Sequence, residues 1–147
     1  MTERILVPMD GSPLSVRALE LALAERGDVT VLHVIDPTEP GYSYYGEDVD
    51  LREEPRHGSE AWYERADAYE RELFETAREV AADHDSGIET ASVVGRPSRE
   101  IVDYAVANGV DHVVMGSHGR DLDTHVALGS VTEAVAFRAP VRVTLVR

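Results

Sequence analysis

The chain has no cysteine, so neither a disulfide nor a thiolate metal site is open to it. It also has no lysine; all its cationic side chains are arginine, which excludes a Walker-type phosphate lysine. No apolar run is long enough to span a bilayer. The start, Met1-Thr2-Glu3-Arg4, lacks the basic and apolar regions of a signal peptide, and a cytoplasmic location is expected. Positive charge is scarce: 14 basic residues face 28 acidic ones, a net charge of −14. Nucleic acid is thereby disfavoured as a partner, because phosphate backbones need a basic surface. Anionic membranes are disfavoured for the same reason.

Such a surface repels itself at low salt, whereas at molar salt the Debye length falls to ~3 Å and the repulsion is screened. The acidic, lysine-free composition therefore points to a high-salt cytoplasm such as that of halophilic archaea. A GC-rich genome, which also favours Arg over Lys, is the plainer alternative.

What is present suits one folded domain. The length, 147 residues, fits a single core, and 43% of residues are apolar. Arg4 to Met9 is a short β-rich run and reads as a buried first strand. Ser12-Pro13 supplies an N-cap followed by proline at the first helical position. Leu14, Ala18, Leu21 and Ala22 share one helical face, and Gly27 can close that helix. Val29 to Ile35 reads as a second strand, parallel to the first.

Asp36 to Gly58 shows no periodicity and carries Tyr42, Tyr44 and Tyr45, as a long surface loop would. A long helix follows from about Ser59 to Asp85, with Trp62, Ala66, Tyr69, Leu73, Ala77 and Val80 on one stripe and Gly87 as its C′ residue. Ile88 to Val94 reads as a strand. Pro97-Ser98 opens a helix that Asn108-Gly109 ends. Val110 to Met115, a helix from about Ser130 to Phe137, and a last strand from Val141 to Val146 complete the pattern. Strands and helices alternate throughout. The expected fold is α/β and Rossmann-like, a parallel sheet with helices on both faces.

In such sheets, ligands bind at the carboxyl ends of strands, where the strand order reverses. Two strand ends look specialised. One is Pro8-Met9-Asp10-Gly11-Ser12. The other is Met115-Gly116-Ser117-His118-Gly119-Arg120, followed after nine residues from Gly119 by Gly129-Ser130-Val131-Thr132. Gly116 and Gly119 let the backbone approach a ligand or adopt positive φ, and successive N–H groups there form an anion nest. Gly129-Ser130 begins the last helix, whose free N–H groups and dipole attract phosphate. Ser130 and Thr132 add hydroxyl donors and Arg120 a fixed charge. Glycines at such turns often serve packing alone. This spacing directly after a buried strand is more specific.

On these segments, and on Leu32-His33-Val34-Ile35-Asp36, the whole chain resembles the universal stress protein family in its ATP-binding branch. The resemblance implies an adenine nucleotide alpha hydrolase-like domain over residues 1–147, with a five-stranded parallel sheet of order 3-2-1-4-5. It implies a homodimer built through the last strand. It also implies that ATP is held near Asp10, whose carboxylate accepts hydrogen bonds from ribose or base. Pro8, Met9 and Val34 would line the adenine pocket, and Met115 and Gly116 would border the ribose. Gly119, Arg120, Gly129, Ser130, Val131 and Thr132 would surround the phosphates. For Val34 and Met115 an ordinary core role is nearly as well supported.

Asp121, Asp123 and His125 depart from the family's usual small, polar or basic residues in the intervening loop. Carboxylates there repel a triphosphate unless they face solvent or share a divalent cation such as Mg²⁺; solvent-facing acids are the favoured reading. His33, His57, His84, His112, His118 and His125 are scattered, and none forms a zinc-spaced pair on an expected helix. His118 and His125 flank the site. Hydrolysis needs an oriented water and charge at the γ-phosphate; Arg120 offers charge, but no base stands out. The expected function is ATP binding with at most slow hydrolysis and no dedicated catalysis. The alternatives are a nucleotide-independent dimeric interaction module, and an enzyme using Asp10 and His118.

Overall fold

The computed structural model describes residues 2–37, 58–118 and 128–147. Strand β1 (Glu3–Pro8) leads through α1 (Pro13–Leu23) to β2 (Gly27–Ile35). Then come α2 (Glu60–Asp83), β3 (Glu89–Val94), α3 (Pro97–Ala107), β4 (His112–Gly116), α4 (Ser130–Arg138) and β5 (Arg142–Val146). The strands form one sheet of order β3-β2-β1-β4-β5, every neighbouring pair parallel. The tyrosines of the 38–57 stretch lie outside the described residues.

Alternation along each strand sorts the core into two layers. Ile5, Val7, Val29, Val31, Val114 and Val146 pack with α1 (Ala18, Leu19, Ala22) and α2 (Leu73, Ala77). Leu6, Leu32, Val34, Val113 and Met115 face the other way, onto Ile101 and Ala105 of α3 and Val135 of α4. Connections from β1 to β2 to β3 thus run over one face, and those from β3 to β4 to β5 over the other. No helix among the described residues is long and apolar enough to cross a membrane.

His33 interrupts the first layer with a polar group. It is fully buried, with Nδ1 2.5 Å from Glu70 Oε2. The same oxygen accepts from Ser92 Oγ at 2.8 Å, so α2, β2 and β3 meet in one network. Tyr69 and Phe74 flank the imidazole, and Nε2 has no hydrogen-bond partner among the described residues.

Two glycines do other work than the sequence suggests. Gly27 does not close α1, which ends at the right-handed Ala24; it is the first residue of β2. A β-carbon on it would lie 2.7 Å from the Glu3 carbonyl oxygen, so the close approach of β2 to β1 requires its absence. Gly87 is not the C′ residue of α2. Asp85 takes the left-handed conformation there (φ 52°), donating its N–H to Ala82 O, while Ser86 N–H reaches back to Ala81 O. This is a Schellman cap on a short polar residue that tolerates positive φ.

Candidate functional site

The crevice lies where the sheet's direction of growth reverses, between β1 and β4. Their ladder has only two pairs, Ile5↔His112 and Leu6↔Val113, which join the middle of β1 to the amino end of β4. On its other side β1 stays paired with β2 as far as Pro8↔Leu32, and Met9 N–H continues to Leu32 O at 2.9 Å. The carboxyl end of β1 is therefore held by β2 and left open toward β4.

Asp10 sits at that opening, buried to 5% exposure. Its Oδ1 accepts Ser12 N–H at 2.9 Å, and Tyr69 Oη donates to its carbonyl oxygen at 2.7 Å. Gly11 makes the turn possible: its φ is 86°, and a β-carbon there would fall 1.9 Å from Tyr69 Oη. Ser12 then caps α1, accepting from Ser15 N–H at 3.4 Å, while Ser15 Oγ donates to Ser12 O at 2.7 Å. The carboxylate is thus oriented by its own turn, and the turn is pinned from α2.

Across the opening, Gly116 ends β4 against α1. A β-carbon on it would meet Leu14 Cβ at 2.9 Å, so the two specialised strand ends do lie side by side. Gly116 does not adopt positive φ; it is glycine for contact with α1. Ser117 N–H donates to Val146 O at 2.7 Å, and Gly129 N–H to Ser117 O at 2.9 Å. The start of α4 is thereby tied to the end of β4. Thr132 tightens this further, its hydroxyl donating to Gly116 O at 2.8 Å. That hydrogen is spent inside the protein, so Thr132 does not supply the free donor that the sequence suggested.

Among the described residues, no side chain caps the opening of α4. Gly129 is its N-cap and offers no side-chain cap, unlike Ser12 and Ser59 on α1 and α2. The N–H groups of Ser130, Val131 and Thr132 occupy the first turn, where a helix leaves its donors without intrahelical partners. Ser130 is exposed, and Val131 is half-buried against the α3/α4 layer.

The residues expected to line the adenine (Met9, Val34) and to border the ribose (Met115) divide between the layers. Val34 and Met115 are buried on the α3/α4 face, whereas Met9 is buried on the α1/α2 face. Their side chains lie on opposite faces of the sheet and are buried there, and Pro8 is buried as well. Gly119, Arg120, Asp121, Asp123 and His125 lie outside the described residues. His118 is half-exposed, with Nδ1 3.1 Å from Ser117 Oγ. Tyr69 is the site residue that sequence reasoning missed. It reads as one more member of the α2 apolar stripe, and nothing local reports that its hydroxyl reaches Asp10.

The universal stress protein family model matches residues 1–147. A relative from Bacillus subtilis, "Universal stress protein YxiE", is 29% identical over 157 aligned positions that cover all of both chains. Among solved structures, the universal stress protein UspA from Lactobacillus plantarum superposes with a TM-score of 0.74 at 25% identity, covering 99% of this chain and 98% of that one. A universal stress protein in complex with cAMP has a TM-score of 0.68 at 24% identity, covering 99% and 97%, and shares the fold.

Proposed function

The chain belongs to the universal stress protein family, and from that premise we propose that it binds ATP between β1 and β4 and acts as a nucleotide-regulated, dimeric stress-response protein. The observation that carries the reading is the pairing of two unlike walls across one opening. Asp10 offers a fixed acceptor for ribose or base on one side. The uncapped start of α4 offers backbone donors and a positive dipole end for phosphates on the other. A fold relative captured with cAMP supports an adenine nucleotide as the class of ligand. Gly119 and Arg120 complete the phosphate side in this reading, with Mg²⁺ accompanying the triphosphate.

Binding rather than turnover is the proposed role. Among the described residues, Asp10 presents a carboxylate at the opening, and its orientation toward Ser12 N–H serves a fixed acceptor better than a mobile base. The dimer is assigned to the outer edge of β5, the sheet edge beside the crevice strands. The net charge of −14 supports a cytoplasm of high ionic strength.

Protein purified in molar KCl without added nucleotide, then denatured, should release adenine nucleotide. Calorimetry with ATP and Mg²⁺ should show saturable binding that Asp10→Ala weakens. Failure of both the release and the calorimetric titration would remove ATP from this reading.

A further inference from the structure

At the opposite end of the sheet, three ligand-type side chains from three elements converge. They are Glu3 at the start of β1, Glu25 just after α1 and His112 at the start of β4. One donor atom from each lies within 4.8 Å of the others. His112 is buried to 2% exposure, whereas the two carboxylates reach solvent.

The spacing resembles a coordination polyhedron more than a hydrogen-bonded cluster. His112 Nδ1 lies 3.5 Å from Glu25 Oε2 and 3.7 Å from Glu3 Oε1. An N–H···O bond would be near 2.9 Å. A tetrahedral site with metal–ligand bonds of about 2.0–2.1 Å has ligand-to-ligand edges of about 3.4 Å. The imidazole is also oriented as a metal ligand is. Its Nε2 is 2.6 Å from Thr144 Oγ1 on β5, an outer partner that fixes the ring and leaves Nδ1 facing the carboxylates.

One cation already visits the cluster. The Arg142 guanidinium bonds Glu3 and comes within 3.4 Å of His112 Nδ1. Contact with a guanidinium donor suits a lone pair on Nδ1, the form that binds metal. The Arg142 side chain is 63% exposed and can swing into solvent.

We infer that Glu3, Glu25 and His112 form a binding site for a divalent transition-metal ion of the Zn²⁺ class. Arg142 holds the place of the ion when none is bound. One imidazole nitrogen and two carboxylate oxygens suit Zn²⁺ and Co²⁺, with water in the fourth position. The ion would join the amino ends of β1 and β4 to the end of α1, at the pole of the sheet away from the crevice.

The test is a titration of chelator-treated full-length protein with Co²⁺ in molar KCl, without nucleotide, followed by displacement with Zn²⁺. The expected result is saturable binding of one ion per chain with the visible absorption of tetrahedral Co²⁺, lost on adding Zn²⁺. Thr144→Val, which removes the orienting partner, should weaken affinity by about 10–100-fold. Glu25→Gln, at a half-exposed position, and His112→Asn should weaken it further. Arg142→Gln should tighten it, because the competing cation is gone. Circular dichroism checks that His112→Asn still folds, and Glu25→Gln carries the test if it does not. Absence of a saturable one-ion step, or affinity unchanged by Glu25→Gln, would overturn the site and reduce any uptake to ions on an acidic surface.

Discussion

A single β-carbon at Gly11 should loosen the whole wall that carries Asp10. Gly11→Ala forces an L-residue to φ 86°, which costs about 1–2 kcal/mol. The new atom would also fall 1.9 Å from Tyr69 Oη, so the tyrosine must give up its bond to Asp10 O. That loss adds about 0.5–1.5 kcal/mol. Reduced freedom of the unfolded chain returns about 0.4–1 kcal/mol. The net expectation is a destabilisation of about 0.5–3 kcal/mol, read by urea unfolding in molar KCl as a lower midpoint at unchanged slope. ATP affinity should fall with it, because the carboxylate loses its pinned turn. Tyr69→Phe removes the obstructing oxygen. In that background Gly11→Ala should cost less than it does alone, with a coupling of 0.5 kcal/mol or more between the two sites. Strict additivity of the two substitutions would refute the claim that the hydroxyl is what Gly11 makes room for.

Ser130→Asp separates helix stability from ligand binding: a carboxylate in the first turn of α4 should stabilise the fold by about 0.3–1 kcal/mol. It should also weaken ATP binding by calorimetry, and a gain or no change in affinity would place the phosphates elsewhere. Thr132→Val should cost about 1–3 kcal/mol in chemical denaturation, because Gly116 O is left without its donor; Thr132→Ser should restore most of it. Glu70→Ala strips the acceptor from both His33 and Ser92. Thermal melts should show a loss of about 1–3 kcal/mol, and a neutral result would mean that the buried imidazole finds another partner. Thermal stability should rise from low to molar KCl as repulsion among the 28 acidic residues is screened. A flat series would disprove salt adaptation.

Hydrophobic spacing made the helices and most of the strands legible, because α2 repeats Trp62, Ala66, Leu73 and Ala77 on one buried stripe. Parallel pairing followed from the short β1–α1–β2 connections. The order of the strands came from the family resemblance, since periodicity does not say which strands are neighbours. Glycines were the poorest guide. Gly27 and Gly87 resemble helix stops, yet Gly27 answers to the Glu3 carbonyl of another strand. The stop after α2 fell to Asp85 instead. At the site, chain position located Asp10 and the start of α4. Side-chain direction is a tertiary outcome, which is why Thr132 turned out to face Gly116 and Met9 to face the α1/α2 layer. The cluster of Glu3, Glu25 and His112 has no local signature, because only the finished sheet brings those positions together.

The strand order also bears on the sequence of events in folding. Pairing within each half spans shorter stretches of chain: Ile5↔Val29 joins β1 to β2, Thr30↔Glu89 joins β2 to β3, and His112↔Arg142 joins β4 to β5. The seam joining the two halves depends on Arg4 meeting Asp111, 107 positions away, and on the two pairs that follow. Closing so long a loop is slow compared with local pairing. The β1/β4 seam should thus be the last part of the sheet to form and the first to part. A nucleotide touching both halves would then act as a late staple, lengthening the lifetime of the folded state while leaving the rate of folding almost unchanged.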